Sequence, residues 1–118
     1  MKRTDFAGAL YRYFRDYLVN DRGCSARTIE TYRYAFIQFI DYMENHLNIR
    51  PEKIELTHIN VQNLQSFLLW LEREKKVSTS TRNQRLAAFK SFSSFLKYDL
   101  PECLDNVIQI QNIKMIYL

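Results

Sequence analysis

The chain has 118 residues and a mass of 14.2 kDa, which is room for one domain and not for two full ones. Apolar residues make up 47%, enough to build a core and too many for a disordered chain. Two Gly and two Pro, set against eight Phe, eight Tyr and one Trp, exclude the turn-rich all-β sandwich and the doubly wound α/β fold and favour long helices. The net charge is +4 and unevenly spread. Residues 77–98 carry Arg82, Arg85, Lys90 and Lys97 with no acid, whereas residues 99–118 carry Asp99, Glu102 and Asp105 against Lys114. That asymmetry points to an anionic partner.

The start, M-K-R-T-D-F-A-G-A-L-Y-R, has no apolar run and is not a signal peptide. A first helix is predicted over residues 5–19, with Phe6, Leu10, Phe14 and Leu18 on one face and Tyr13 and Tyr17 at its edge. It stops at N-D-R-G, where Gly23 can supply a left-handed turn. The second helix spans residues 25–47, with Ser25 as N-cap. Its apolar stripe is Ile29, Tyr32, Phe36, Phe39, Ile40, Met43 and Leu47. At 100° per residue, Arg27, Thr31, Tyr34 and Gln38 fall on the opposite face.

Residues 48–56 form a loop containing Pro51. A third helix begins at Thr57 or Asn60, either of which can cap it, and runs to Lys76. Val61, Leu64, Phe67, Leu68 and Leu71 make its apolar face, widened by Leu69 and Trp70. Too many polar residues interrupt this segment for a membrane span. A fourth helix covers residues 80–98 behind the cap-rich S-T-S-T, with Leu86, Phe89, Phe92 and Leu96 as its core stripe. Pro101 prevents its continuation. The apolar tail, residues 102–118, either packs back as a short fifth helix or begins something further. Its ending on Ile116-Tyr117-Leu118 suggests an internal boundary of a longer protein.

No catalytic constellation is visible. His46 and His58 lack partners at metal-ligand spacing, and Cys24 and Cys103 fit neither a metal site nor a disulfide framework. They read as reduced thiols of an intracellular protein. No Ser sits in a G-x-S-x-G turn, and Gly8 and Gly23 cannot make a phosphate loop. The acidic pairs Glu72/Glu74 and Glu52/Glu55 read as solvated faces. What remains is a surface. Arg82 and Arg85 continue the apolar stripe of the fourth helix toward its N-terminus, so this first turn is expected to project beyond the core. Ser78, Thr79, Ser80, Thr81 and Asn83 add hydroxyls and an amide where free N–H groups already favour phosphate. The second helix starts in the same way, with Ser25, Arg27, Thr28 and Thr31.

Three stretches carry a family resemblance. G-C-S-A-R-T-I-E-T-Y-R-Y-A-F-I-Q-F-I-D-Y-M resembles the second helix of the core-binding (SAM-like) domain of tyrosine recombinases, the phage-integrase family. N-L-Q-S-F-L-L-W-L resembles the third helix and S-T-S-T-R-N-Q-R-L-A-A-F-K-S-F-S-S-F-L the fourth, so the resemblance covers residues 5–98 in order and spacing. It implies an all-α, four-helix orthogonal bundle with a short fifth helix or an extended tail. Residues 1–100 would be the DNA-binding domain and residues 101–118 the start of a linker to a catalytic domain that this chain lacks. It implies a grip on duplex DNA by the second and fourth helices, in a cytoplasmic protein of a bacterium or mobile element that works with other recombinase protomers.

The candidate contacts are Ser25, Arg27, Thr28, Thr31 and Tyr34, then Ser78, Ser80, Thr81, Arg82, Asn83, Arg85 and Lys90. No cofactor, metal, membrane or small-molecule ligand is expected, and no strand cleavage, because Tyr117 has no H-x-x-R or catalytic Arg before it. The competing reading is a helical protein-interaction domain with no nucleic-acid role, docking a partner through Tyr11, Tyr34 and the apolar tail.

Overall fold

The computed structural model describes residues 3–116, apart from the side chains of Cys103 and Leu104. Tyr117 and the Cys103 thiol, both considered above, lie outside the described residues. All regular structure among the described residues is helical, as composition and periodicity predict. The chain divides into two compact units, Met1–His58 and Ile59–Leu118, and residues 101–116 pack within the second.

The first unit opens with α1, Asp5–Arg12. The Thr4 hydroxyl accepts the Ala7 N–H at 3.2 Å and so caps it. Asp5 favours the positive end of the helix, and its Oδ1 accepts the Leu56 N–H at 2.8 Å, tying down a segment 51 residues away. Beyond Arg12 the helix continues without a break but widens to π geometry over Tyr13–Asp21. This alters the predicted face. Phe6, Ala9, Tyr13 and Leu18 are buried, at steps of three, four and five. A step of five falls on the far side of an α-helix but returns to one side when bonds run from i to i+5. Tyr13, expected at the edge, is therefore fully buried, while Leu10 and Phe14 are only half-buried. The Tyr13 ring meets Phe14, Tyr17 and Phe36 at centroid distances of 5.0, 5.8 and 6.0 Å. Gly23, at φ +57°, makes the predicted left-handed turn.

Helix α2, Ala26–Leu47, buries Ala35, Phe36, Phe39, Tyr42 and Met43. Leu47 is exposed, because the helix ends there and Asn48 turns left-handed at φ 55°. Within the predicted loop Pro51 begins a 3-10 turn, Pro51–Lys53, and a second follows at Leu56–His58, with Ile54 and Leu56 buried.

In the second unit the Asn60 side chain accepts the Asn63 N–H at 2.9 Å, so Asn60 rather than Thr57 caps α3, Val61–Arg73. The helix stops three residues before the predicted Lys76. Lys76 takes φ 53°, and the Val77 N–H closes the end on the Leu71 carbonyl. Leu64, Phe67, Leu68 and Leu71 are buried, but Leu69 is 43% exposed and does not widen that face.

Helix α4, Thr79–Asp99, buries the predicted stripe of Leu86, Phe89, Phe92 and Leu96 together with Ala88, Ser93 and Phe95. Phe89 meets Phe67 edge-on at 5.9 Å. The tail folds back. After a 3-10 turn at Pro101–Cys103, α5 (Leu104–Gln111) packs on α4 and α3 and buries Val107 and Ile110, with Ile113 just beyond it. Gln111 Nε2 donates to the Lys90 carbonyl at 2.7 Å and to Ser94 Oγ at 3.2 Å.

The widened register gives a stability prediction. Tyr13→Ala should cost ~3–5 kcal/mol in urea unfolding, the usual range for a buried ring, and clearly more than Leu10→Ala. An equal or larger loss for Leu10→Ala would mean that the uniform four-residue face holds instead.

Candidate nucleic-acid interface

The two helices singled out by the sequence begin with the same local geometry. Ser25 Oγ accepts the Thr28 N–H at 3.1 Å and donates to Thr28 Oγ1 at 3.0 Å. Ser78 Oγ accepts the Thr81 N–H at 3.1 Å and donates to Thr81 Oγ1 at 3.1 Å. Both follow from a cap hydroxyl placed three residues before a Thr. Neither α2 nor α4 has an acid in its first turn, so the partial positive charge of each terminus is left unneutralised.

At α2, Ser25 and Arg27 are exposed, and Thr28 and Thr31 are half-buried. The Thr31 hydroxyl donates to the Arg27 carbonyl at 3.0 Å, so it faces outward only as an acceptor. Tyr34 lies two turns on and is 50% exposed. All five lie in the N-terminal half of α2 or at its cap, and Arg27, Thr31 and Tyr34 share its outer face. Nearby, burial raises the Tyr32 phenol above its ordinary pKa; the Cys24 thiol adds to this and Arg22 opposes it.

At α4, Ser78 and Ser80 are exposed and Thr81 and Asn83 are half-buried. The two arginines depart from expectation. They do not project beyond the core: Arg85 is buried, and the Arg82 side chain is only 11% exposed. Both stand on the core-facing stripe, where a long aliphatic stem packs as apolar surface. The Arg82 head is then partly satisfied from within the chain. Arg82 Nη1 donates to the Lys114 carbonyl at 2.9 Å and to Asn83 Oδ1 at 3.0 Å. Its Nε is buried without a hydrogen-bond partner and faces Glu72 Oε1 at 3.9 Å. Glu72 is thus an ion-pair partner as well as a partly exposed acid.

Asn83 is engaged as well. Its Oδ1 accepts the Ile116 N–H at 3.1 Å, and its Nδ2 donates to the Ile116 carbonyl at 2.6 Å. Lys90 is half-buried further along the helix, and its carbonyl receives Gln111. Seven candidates therefore belong to α4 and its cap, but only Ser78 and Ser80 are exposed. Residues 114–116 cross the first turns, beside a shallow cleft of about 570 Å³.

Two features escape the sequence reading. Glu72 and Lys114 complete the Arg82 site from 10 and 32 residues away, which no local pattern signals. In the first unit, the Arg3 and Arg15 guanidiniums lie over the Tyr11 ring at 5.2 and 4.8 Å. The four-residue spacing of Tyr11 and Arg15 is a visible signal for that contact. Arg15 also bonds Asp16 at 2.7 Å, which holds the Asp16 carboxyl below its usual range. Tyr11 borders an apolar groove of about 760 Å³ between α1 and α2, with Phe14, Phe36 and a half-exposed Ile37. Both histidines have local roles: His46 stacks on Tyr42 at 5.1 Å, and His58 Nδ1 accepts the Glu55 N–H at 2.9 Å. Among the described residues no cluster of three His, Cys, Asp or Glu could hold a metal, and no helix is long and apolar enough to cross a membrane.

The twin caps can be tested separately from binding. Ser25→Ala and Ser78→Ala should each lower unfolding stability by ~0.5–2 kcal/mol, and glycine at either position by only a few tenths. Indifference to both alanines in urea unfolding would mean that the capping bonds are not formed.

Residues 12–99 match the family described as phage integrase, N-terminal SAM-like domain. A protein of Sinorhizobium fredii named integrase/recombinase y4rC is 30% identical over 112 residues, covering 95% of this chain and 33% of the relative. Proteins named tyrosine recombinase XerC from Herpetosiphon aurantiacus and a Roseiflexus species are 33% and 36% identical over 84 and 83 residues. These matches cover 71% and 70% of this chain and 26% and 25% of the relatives. The chain thus spans a quarter to a third of the length of these relatives. No solved structure matches it. With an all-helical fold and a family match over most of its length, the chain belongs to the phage integrase N-terminal SAM-like domain family.

Proposed function

We propose that this chain is the DNA-binding module of a site-specific tyrosine recombinase and holds duplex DNA through the N-terminal halves of α2 and α4. The observation that carries this reading is the pair of like-built, acid-free helix starts with outward hydroxyls, in a chain of net charge +4. Unneutralised N–H groups and Ser or Thr hydroxyls suit phosphate oxygens, and Arg27 adds an exposed cation. On α4, Ser78, Ser80 and Thr81 are the available contacts. Recombination, which the relatives' names attach to proteins three to four times as long as the matched stretch, is assigned to the protein that carries this domain. Other protomers of that recombinase are its protein partners, and this domain supplies grip and not cleavage.

A helical protein-docking role is the second reading, favoured by the apolar groove at Tyr11 and Ile37. Salt separates the two, because phosphate contacts release counterions and apolar docking does not.

In fluorescence anisotropy with a labelled duplex, log K should fall linearly with log salt, with non-specific Kd around 10⁻⁴–10⁻⁶ M near physiological salt. Arg27→Ala should weaken binding on every sequence and flatten the slope by about one unit. Lys97→Ala, one exposed charge in the last turn of α4, is the charge control. Equal loss from Lys97→Ala would mean that only net charge attracts DNA, and a salt-independent interaction would favour the docking role.

A further inference from the structure

The side chains that hold residues 114–116 on α4 are the donors that a phosphate or base edge would need there. Asn83 spends both ends of its amide on the Ile116 backbone, at 3.1 and 2.6 Å, as a neighbouring strand would. Arg82 binds the Lys114 carbonyl at 2.9 Å and braces Asn83 Oδ1 at 3.0 Å. We infer that the segment 114–116 is an internal competitor for DNA, released from α4 when DNA takes Arg82 and Asn83. This deepens the DNA-binding reading and rests on it.

Three observations support a releasable clamp. The four hydrogen bonds are exposed or part-buried, the class that opens most readily. Ile116 is 36% exposed, so apolar burial holds it only partly. The anchored part of the tail ends earlier, at Ile110 and Ile113, which are 1% and 5% exposed. Opening can therefore stop after residue 113 and leave α5 in place. Closed, the clamp occupies Arg82 Nη1 and the Asn83 amide; open, it frees both beside the exposed Ser78 and Ser80. DNA affinity is then lowered by the fraction of chains in which the clamp is closed.

The test uses the full chain. Ile116→Pro removes the N–H that Asn83 accepts and leaves Arg82 and Asn83 intact; Ile116→Ala trims the side chain and keeps that N–H. In NMR, the heteronuclear NOE of the Ile116 amide should be ordered in the free chain and fall on saturation with duplex, while that of Ile110 stays high. In anisotropy, Ile116→Pro should bind duplex at least about threefold more tightly than the parent, with a salt slope steeper by up to about one unit, and Ile116→Ala should match the parent. An Ile116 amide that is mobile in the free chain, or ordered at saturating DNA, overturns the inference. So does parental affinity in Ile116→Pro, and in each of these cases the DNA-binding reading survives if the parent shows salt-dependent binding. Absence of such binding in parent and variant removes both.

Discussion

A backbone group pairs either with water or with another part of the chain, and in this chain side chains supply several of those partners. The clearest case is Asn83, whose amide satisfies the N–H and the carbonyl of Ile116 together. Gln111 does comparable work one step earlier by donating to the Lys90 carbonyl. With Val107, Ile110 and Ile113 buried, these bonds convert an apolar tail of weak pattern into the fifth helix and covering segment of the second unit. The composition of the α4 surface follows from that arrangement. A residue there can either hold the tail or face solvent, and Arg82 and Asn83 hold the tail.

The helix starts follow the same rule. An α-helix leaves its first N–H groups without internal partners, and a serine cap answers only one of them. At α1, Asp5 also sits beside the terminus and opposes its positive field. At α2 and α4 no acid of the first turn does so, and at α2 the exposed Arg27 adds to the field. α3 is acid-free at its start as well, so what sets α2 and α4 apart is the Ser–Thr hydroxyl pair beside that field, the physical basis for assigning them an anionic partner.

Much of this was legible in the sequence because it is local. Ser25 and Ser78 as caps, Gly23 as a left-handed turn and the Leu86, Phe89, Phe92, Leu96 stripe all depend on residues within a few positions of one another. The outer face of α2 emerged for the same reason, since a rotation of 100° per residue fixes it. Where that rotation changes, prediction drifted: the π widening after Arg12 moved burial from Leu10 and Phe14 to Tyr13. The surroundings of Arg82 were illegible for a different reason. Glu72, Lys114 and Ile116 reach it only through tertiary packing, so an arginine that looked outward by pattern is covered by chain far away in sequence. The resemblance named the family correctly, but it could not tell which of the matching residues are occupied within the chain.

The central claim is that the N-terminal halves of α2 and α4 face DNA. Backbone amide shift mapping during titration with a duplex tests it most directly. The account predicts that the largest perturbations fall at residues 25–31 and 78–83, with little change around Tyr11 and Ile37. Perturbations concentrated at the Tyr11 and Ile37 groove, with residues 25–31 and 78–83 unmoved, would contradict it.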